Sequence, residues 1–197
     1  MSQFIESIRC INGELQLLEL HQARVNRTFF TNYGLLARPI KLAIIIRQIP
    51  ASGTFKCRVV YDQNSFEITY DKYQKPNINS CQIVKSEDID YRFKYADRSG
   101  LANLFAQRKD ADDIIIVKEG MISDSYFANL AFFDGEDWWT PESPLLAGVQ
   151  RQNLLDQRLI KTREIHVNEL THFKKVSLIN AMNDLGKIEF EISEVIH

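Results

Sequence analysis

A chain of 197 residues with 45% apolar and 25% charged side chains is long enough to bury one substantial core or two small ones, which excludes intrinsic disorder. Eight glycines and five prolines without a repeating period exclude collagen-like and linker-like chains. Its 24 Lys and Arg against 26 Asp and Glu leave a formal net charge of -2, which offers no basic field to nucleic acid or anionic lipid.

Phe4, Ile5, Ile8 and Ile11 ahead of Asn12-Gly13 predict a strand closed by a tight turn, because that dipeptide tolerates positive φ. Leu20, Val25 and Phe29 fall at near-helical spacing and predict a helix over residues 18–30; Pro39 in a first turn and Pro50 as a stop predict another over 39–47. β-Branched and aromatic runs at 54–62, 65–72 and 81–85, separated by turn residues, read as three antiparallel strands. After Ser86-Glu87-Asp88 the texture changes, and a short aromatic strand at 91–95 runs into a helix over 98–108 that ends in an acidic turn. Strands at 114–118, 121–126, 130–133 and 138–140 follow, set off by Glu119-Gly120 and Asp134-Gly135. Gly148 opens a helix to residue 157; a strand at 160–167, a short helix at 168–173 and strands at 176–181 and 187–192 complete the chain. The sum is an α+β fold of two lobes, 1–88 and 89–197.

Cys10, Cys57 and Cys81 are an odd number at wide spacing, which suits reduced thiols in a cytoplasmic protein better than a disulfide framework. The first ten residues lack the basic and then apolar pattern of a signal peptide, and the apolar run at 42–46 is too short to span a bilayer. Neither a phosphate-binding loop, nor a dinucleotide fingerprint, nor a nucleophile elbow is present. His21, His166, His172 and His197 lack metal-ligand spacing, so no metal is expected.

Chemistry enters through five segments in order: Ile5-Glu6-Ser7-Ile8-Arg9, His21-Gln22-Ala23-Arg24-Val25, Lys94-Tyr95-Ala96-Asp97-Arg98, Asp124 to Asn129, and Gly148 to Arg151. Together they resemble the fold-type IV pyridoxal-phosphate enzymes, which include the branched-chain and D-amino-acid aminotransferases and aminodeoxychorismate lyase. The resemblance covers nearly the whole chain. It implies a small N-terminal α/β lobe, a larger β-rich C-terminal lobe, pyridoxal 5'-phosphate between them, and a homodimer.

On this resemblance Lys94 is the Schiff-base lysine, which must be partly desolvated so that neutral amine can add to the cofactor aldehyde. Asp124 stands where the family usually places Glu, and its carboxylate would keep the pyridine nitrogen protonated, with Asn129 five residues on. Gly148, Val149 and Gln150 open a helix whose N–H groups suit a dianionic phosphate, and Arg24 adds a charge-assisted fork. Asn180 resembles a further phosphate contact of the lyases, and Ser7 a hydroxyl that approaches the reacting carbon there. Each of these also has an ordinary reading: a solvated helix arginine, a plain helix entry, a strand-end turn, a strand serine. Arg9 and Arg98 either hold substrate carboxylates or pair with neighbouring acids, and Trp138-Trp139 fill a core or a subunit seam.

The chain departs from the family in two places: extra strands before Ile5 are missing, and a glycine-rich substrate loop is replaced by the bare turn Asp62-Gln63-Asn64. Ser7, Asn180 and the absence of Tyr at Ser99 favour a lyase that turns 4-amino-4-deoxychorismate into 4-aminobenzoate and pyruvate for folate synthesis. The alternatives are a class IV aminotransferase and a trimmed, non-catalytic homologue.

Overall fold

Strand β1 (Phe4–Ile11) sets Phe4, Glu6, Ile8 and Cys10 on a fully buried face and Ser7, Arg9 and Ile11 on a half-buried one. The computed structural model describes residues 2–196, so His197 lies outside the described residues. Asn12 and Gly13 take φ of 49° and 88° and turn the chain into β2 (Glu14–Leu15), as the dipeptide predicts. Helix α1 (Leu18–Tyr33) runs past the expected end to Gly34, whose φ of 87° suits a residue without Cβ. Its buried stripe of His21, Arg24, Val25, Thr28 and Phe29 follows helical spacing. The second helix is shorter than expected, α2 (Leu42–Ile45), because Lys41 is still extended and leaves Pro39 outside it.

β3 (Thr54–Tyr61) pairs antiparallel with all of β1, and β4 (Phe66–Lys72) extends the sheet to the order β2-β1-β3-β4. Its core joins Phe4, Ile8, Val25, Phe29, Val59 and Tyr61, with the Phe29 and Tyr61 rings stacked at 5.8 Å. Residues Phe93–Asp97 belong to this unit, which otherwise ends at Gln74. The strand expected at 91–95 is reduced to one bridge, Phe4 to Tyr95, flanked by Ile5 N–H to the Lys94 carbonyl and Ala96 N–H to the Gln3 carbonyl, both 2.8 Å.

The second unit takes Lys75–Arg92 and the chain from Arg98 onward, so a single cut near residue 88 does not describe the division. The reason lies in β5 (Cys81–Lys85). It was expected antiparallel to its predecessors, but it runs parallel to β6 (Asp113–Lys118) and to the final strand. Cys81, Gln82 and Val84 are buried, the near-continuous burial of a parallel strand covered on both faces. Helix α3 (Ser99–Phe105) precedes β6; β7 (Met121–Ser125), β8 (Asn129–Phe133) and β9 (Trp138–Pro141) follow antiparallel.

Helix α4 (Val149–Asp156) leads to β10 (Lys161–Arg163), parallel to β9, and further along the expected 160–167 strand His166 makes an isolated antiparallel bridge to Met121. The predicted short helix is present as a 3-10 helix over Val167–His172. β11 (Lys175–Ile179) pairs with β8 and β12 (Glu189–Glu191), and β13 (Val195–Ile196) joins β5. Val117, Leu130, Phe132, Val176 and Leu178 fill the core, and Trp139 packs against it. No helix among the described residues is long and apolar enough to cross a membrane, and no metal-binding cluster occurs among them.

Candidate active site

In the first unit the acid on the apolar face of β1 organises the site. Glu6 is fully buried and accepts Arg24 Nε at 2.8 Å, Arg24 Nη2 at 2.5 Å and His21 Nδ1 at 2.6 Å. Burial alone would raise the Glu6 pKa; the Arg24 charge and the bonds from Arg24 and His21 outweigh it and lower it to about 2. An ionised carboxylate can only accept, so Nδ1 of His21 must be the donor. Burial lowers the His21 pKa, with the Arg24 and Lys94 charges adding to it against Glu6, and the ring is neutral. Arg24 is 6% exposed, which rules out the solvated helix reading, and its fork faces Glu6 rather than open space. Lys94 is half-buried and anchored through its carbonyl to Ile5. Ser7 and Arg9 lie on the other face of β1 from Glu6.

In the second unit Asp124 and Asn129 face each other as the single register pair between β7 and β8. Asp124 is 5% exposed; Oδ1 accepts Asn129 Nδ2 at 2.7 Å and Oδ2 accepts Leu146 N–H at 2.9 Å. Burial pushes its pKa up to about 6, against the Leu146 and Asn129 bonds and the Arg151 charge. Asn129 Nδ2 also reaches the Leu146 carbonyl at 2.8 Å, so one amide clamps both the carboxylate and the loop that leads to Gly148. Gly148 caps α4 without a side-chain bond, and no acid stands in the first turn. Gln150 turns its side chain to Asp184 at 3.1 Å, leaving its backbone N–H as its share of the helix start.

Asn180 is a turn residue: Oδ1 accepts Met182 and Asn183 N–H at 2.9 and 3.0 Å, while Nδ2 donates to the Phe127 carbonyl at 3.4 Å. Ser125 Oγ accepts the Phe127 and Ala128 N–H groups and fixes the same turn from the other side. Arg98 donates to the Tyr126 carbonyl at 2.6 Å and lies 4.3 Å over the Tyr126 ring, a backbone and aromatic contact. Trp139 donates to Asp134 at 2.7 Å and Trp138 packs on Phe133, so both tryptophans serve the core.

The predicted residues thus divide: Ser7, Arg9, Arg24 and Lys94 in the first unit, Arg98, Asp124, Asn129, Gly148, Val149, Gln150 and Asn180 in the second. Sequence reading passed over Glu6 and His21, although a lone acid among Phe4, Ile8 and Cys10 on a strand's apolar face signals a buried partner. The Leu146 N–H carried no sequence signal. The donor set fits pyridoxal phosphate. An uncapped, acid-free helix start offers N–H groups to a dianion, and a Cβ on Gly148 would collide with Asn129 Oδ1, so bare backbone is required there.

The profile of the class IV amino-transferase family matches residues 3–189. An uncharacterized protein of Haemophilus influenzae is 37% identical over 188 residues, 94% of this chain and 100% of that protein. A crystal structure from Haemophilus somnus 129PT, of a protein proposed to be a 4-amino-4-deoxychorismate lyase, is 32% identical with a TM-score of 0.88, covering 94% of this chain and 98% of that one. A proposed amino-acid aminotransferase from Mesorhizobium loti is 18% identical with a TM-score of 0.81 over 100% of both chains. A pyridoxal-phosphate-bound hypothetical aminotransferase from Mycobacterium tuberculosis is 14% identical with a TM-score of 0.76, covering 94% and 80%. The last two establish the shared fold alone.

Proposed function

Because the chain belongs to the class IV amino-transferase family and is a pyridoxal-phosphate-dependent enzyme, we propose that it is a lyase that converts 4-amino-4-deoxychorismate to 4-aminobenzoate and pyruvate in folate synthesis. The observation that carries this reading is the likeness to the Haemophilus somnus protein, in which 32% identity accompanies a TM-score of 0.88. Ser7 on the half-buried face of β1 supports it, since a hydroxyl there suits proton return to a departing group.

Bound pyridoxal phosphate supplies an electrophilic carbon for amines and a ring that draws electrons from the substrate. Lys94 Nζ would hold the cofactor, and its free amine would serve as the base that takes the ring proton beside the substrate nitrogen. Ser7 Oγ or Lys94 returns a proton as pyruvate leaves. Asp124, fixed by Asn129 and Leu146, would keep a proton on the pyridine nitrogen. The N–H groups that open α4 are our candidates for holding the phosphate, and the Arg24 guanidinium, anchored by Glu6 through Nε and Nη2, would contribute positive charge to it. Asn180 holds the turn at Phe127 in place. Three buried free cysteines suit a reducing cytoplasm, and we place the enzyme there as a homodimer that binds neither nucleic acid nor membrane.

Purified protein given 4-amino-4-deoxychorismate should release 4-aminobenzoate and pyruvate in equal amounts. Amino-group transfer to a keto acid without pyruvate release would instead make it an aminotransferase, and neither reaction in the presence of bound cofactor would leave a non-catalytic homologue.

A further inference from the structure

The first turn of α4 contains a cation where a helix suits one least. Arg151 is 8% exposed, and a positive charge at a helix start opposes the macrodipole. Its Nε donates to Thr140 Oγ1 at 3.2 Å and its Nη2 to the Pro141 carbonyl at 2.8 Å, two neutral acceptors on β9. No described acid forms an ion pair with it, although a buried guanidinium is costly unless a counter-charge lies close. Asp124 is the complementary case: it is buried, and both its oxygens take neutral donors, Asn129 Nδ2 and Leu146 N–H. Asn129 connects the two residues. One end of its amide holds Asp124, and the other lies so close to Gly148 that a Cβ there would collide with it. Arg151 follows Gly148 by three residues, which sets both on one side of the α4 entry. The Asp124 charge supports that of Arg151, the Arg151 charge favours ionised Asp124, and burial works against both.

We propose that Arg151 is a positioning residue whose fixed charge holds Asp124 in its ionised form. This rests on the reading that Asp124 meets the pyridine nitrogen, because only an ionised carboxylate accepts the bond of a protonated ring nitrogen. Burial already raises the Asp124 pKa to about 6 with Arg151 in place, close to neutral pH. A nearby opposite charge moves a carboxyl by about 1–3 pH units, so without Arg151 the acid would keep its proton at neutral pH. A neutral Asp124 would donate to an unprotonated ring nitrogen, and the ring would draw electrons less strongly. The two bonds to β9 fix the guanidinium in place while leaving both Asp124 oxygens to Asn129 and Leu146. Arginine suits the position because it stays charged when buried, where lysine gives up its proton readily.

The test follows the Asp124 carboxyl carbon by NMR in the full-length, cofactor-free protein, with Asp124→Asn identifying its signal. The wild type should titrate at about pH 6. Arg151→Gln, which keeps donors for Thr140 and Pro141 but loses the charge, should move that midpoint up by about one pH unit or more, and Arg151→Lys should move it less. An unmoved midpoint in Arg151→Gln overturns the proposal, and a loss of affinity for pyridoxal phosphate but not for pyridoxal in that variant would then assign Arg151 to the phosphate. In protein loaded with isotope-labelled pyridoxal phosphate at neutral pH, the ring nitrogen should be protonated in the wild type and lose that proton in Arg151→Gln. An unprotonated ring nitrogen in the wild type, beside a midpoint that moves in the variant, keeps the role of Arg151 and sinks the reading of Asp124. If the variants fail to fold, the Nε–H resonance of wild-type Arg151 replaces them: it should shift with the Asp124 midpoint, and a resonance indifferent to that titration overturns the proposal.

Discussion

Gly148 and Asn129 approach so closely that a methyl group on the glycine would overlap Oδ1 of the asparagine. The φ of Gly148 is -73°, which any residue adopts, so glycine is required here by space and not by backbone conformation. Asn129 cannot retreat without giving up Asp124 and the Leu146 carbonyl. Gly148→Ala should therefore destabilise the fold by about 1–3 kcal/mol, the usual range for overpacking, and weaken cofactor binding as well. Urea unfolding with and without pyridoxal phosphate checks both effects; unchanged stability together with unchanged cofactor affinity would contradict the account of this clamp.

Asp124 and Asp113 give the protein a pH dependence of definite sign. Asp113 is fully buried, neither carboxylate oxygen has a well-formed hydrogen bond, and burial raises its pKa to about 6 against weaker help from Ser125, nearby backbone N–H groups and Arg98. Asp124 is likewise raised by burial to about 6. Unfolded carboxyls of this type lose their protons near pH 4, so between pH 4 and 6 the folded state binds more protons and stability falls as pH rises. Glu6 acts oppositely: its contribution is complete above about pH 4.5 and is lost as pH falls toward 2. In the cofactor-free protein Asp113→Asn should remove one carboxylate's share of the fall, on the order of 2–3 kcal/mol between pH 4 and 7. Urea unfolding at the two pH values measures it, and an identical difference in wild type and variant would refute the assignment.

Much of this arrangement was legible in the sequence, and what was not has physical causes. Asn12-Gly13, the period of α1 and the alternation along β1 fixed the first sheet, because each is a local signal. β5 was misassigned since a short apolar strand does not reveal whether its partner is antiparallel and near or parallel and far. The expected strands at 91–95 and 160–167 shrank because too few of their residues find ladder partners. The family resemblance singles out Lys94, Asp124 and Gly148 as candidates, but no spacing rule connects Glu6 to His21 and Arg24 across 15 and 18 residues.

Ser7→Ala separates elimination from amino transfer. If the hydroxyl returns a proton to the departing pyruvate, its loss should slow pyruvate release by roughly two to four decades while cofactor colour and affinity persist. Steady-state rates of pyruvate and 4-aminobenzoate formation read the effect. Release at the wild-type rate would remove Ser7 from the mechanism, leaving Lys94 to move both protons.

The central claim is that Lys94 carries the cofactor. Borohydride reduction of the loaded protein followed by peptide mapping addresses it without any assumption about substrate. The account predicts a yellow protein that loses its colour on reduction and holds a stable pyridoxyl group on Lys94 alone. A label on any other lysine, or none after incubation with excess pyridoxal phosphate, would contradict it.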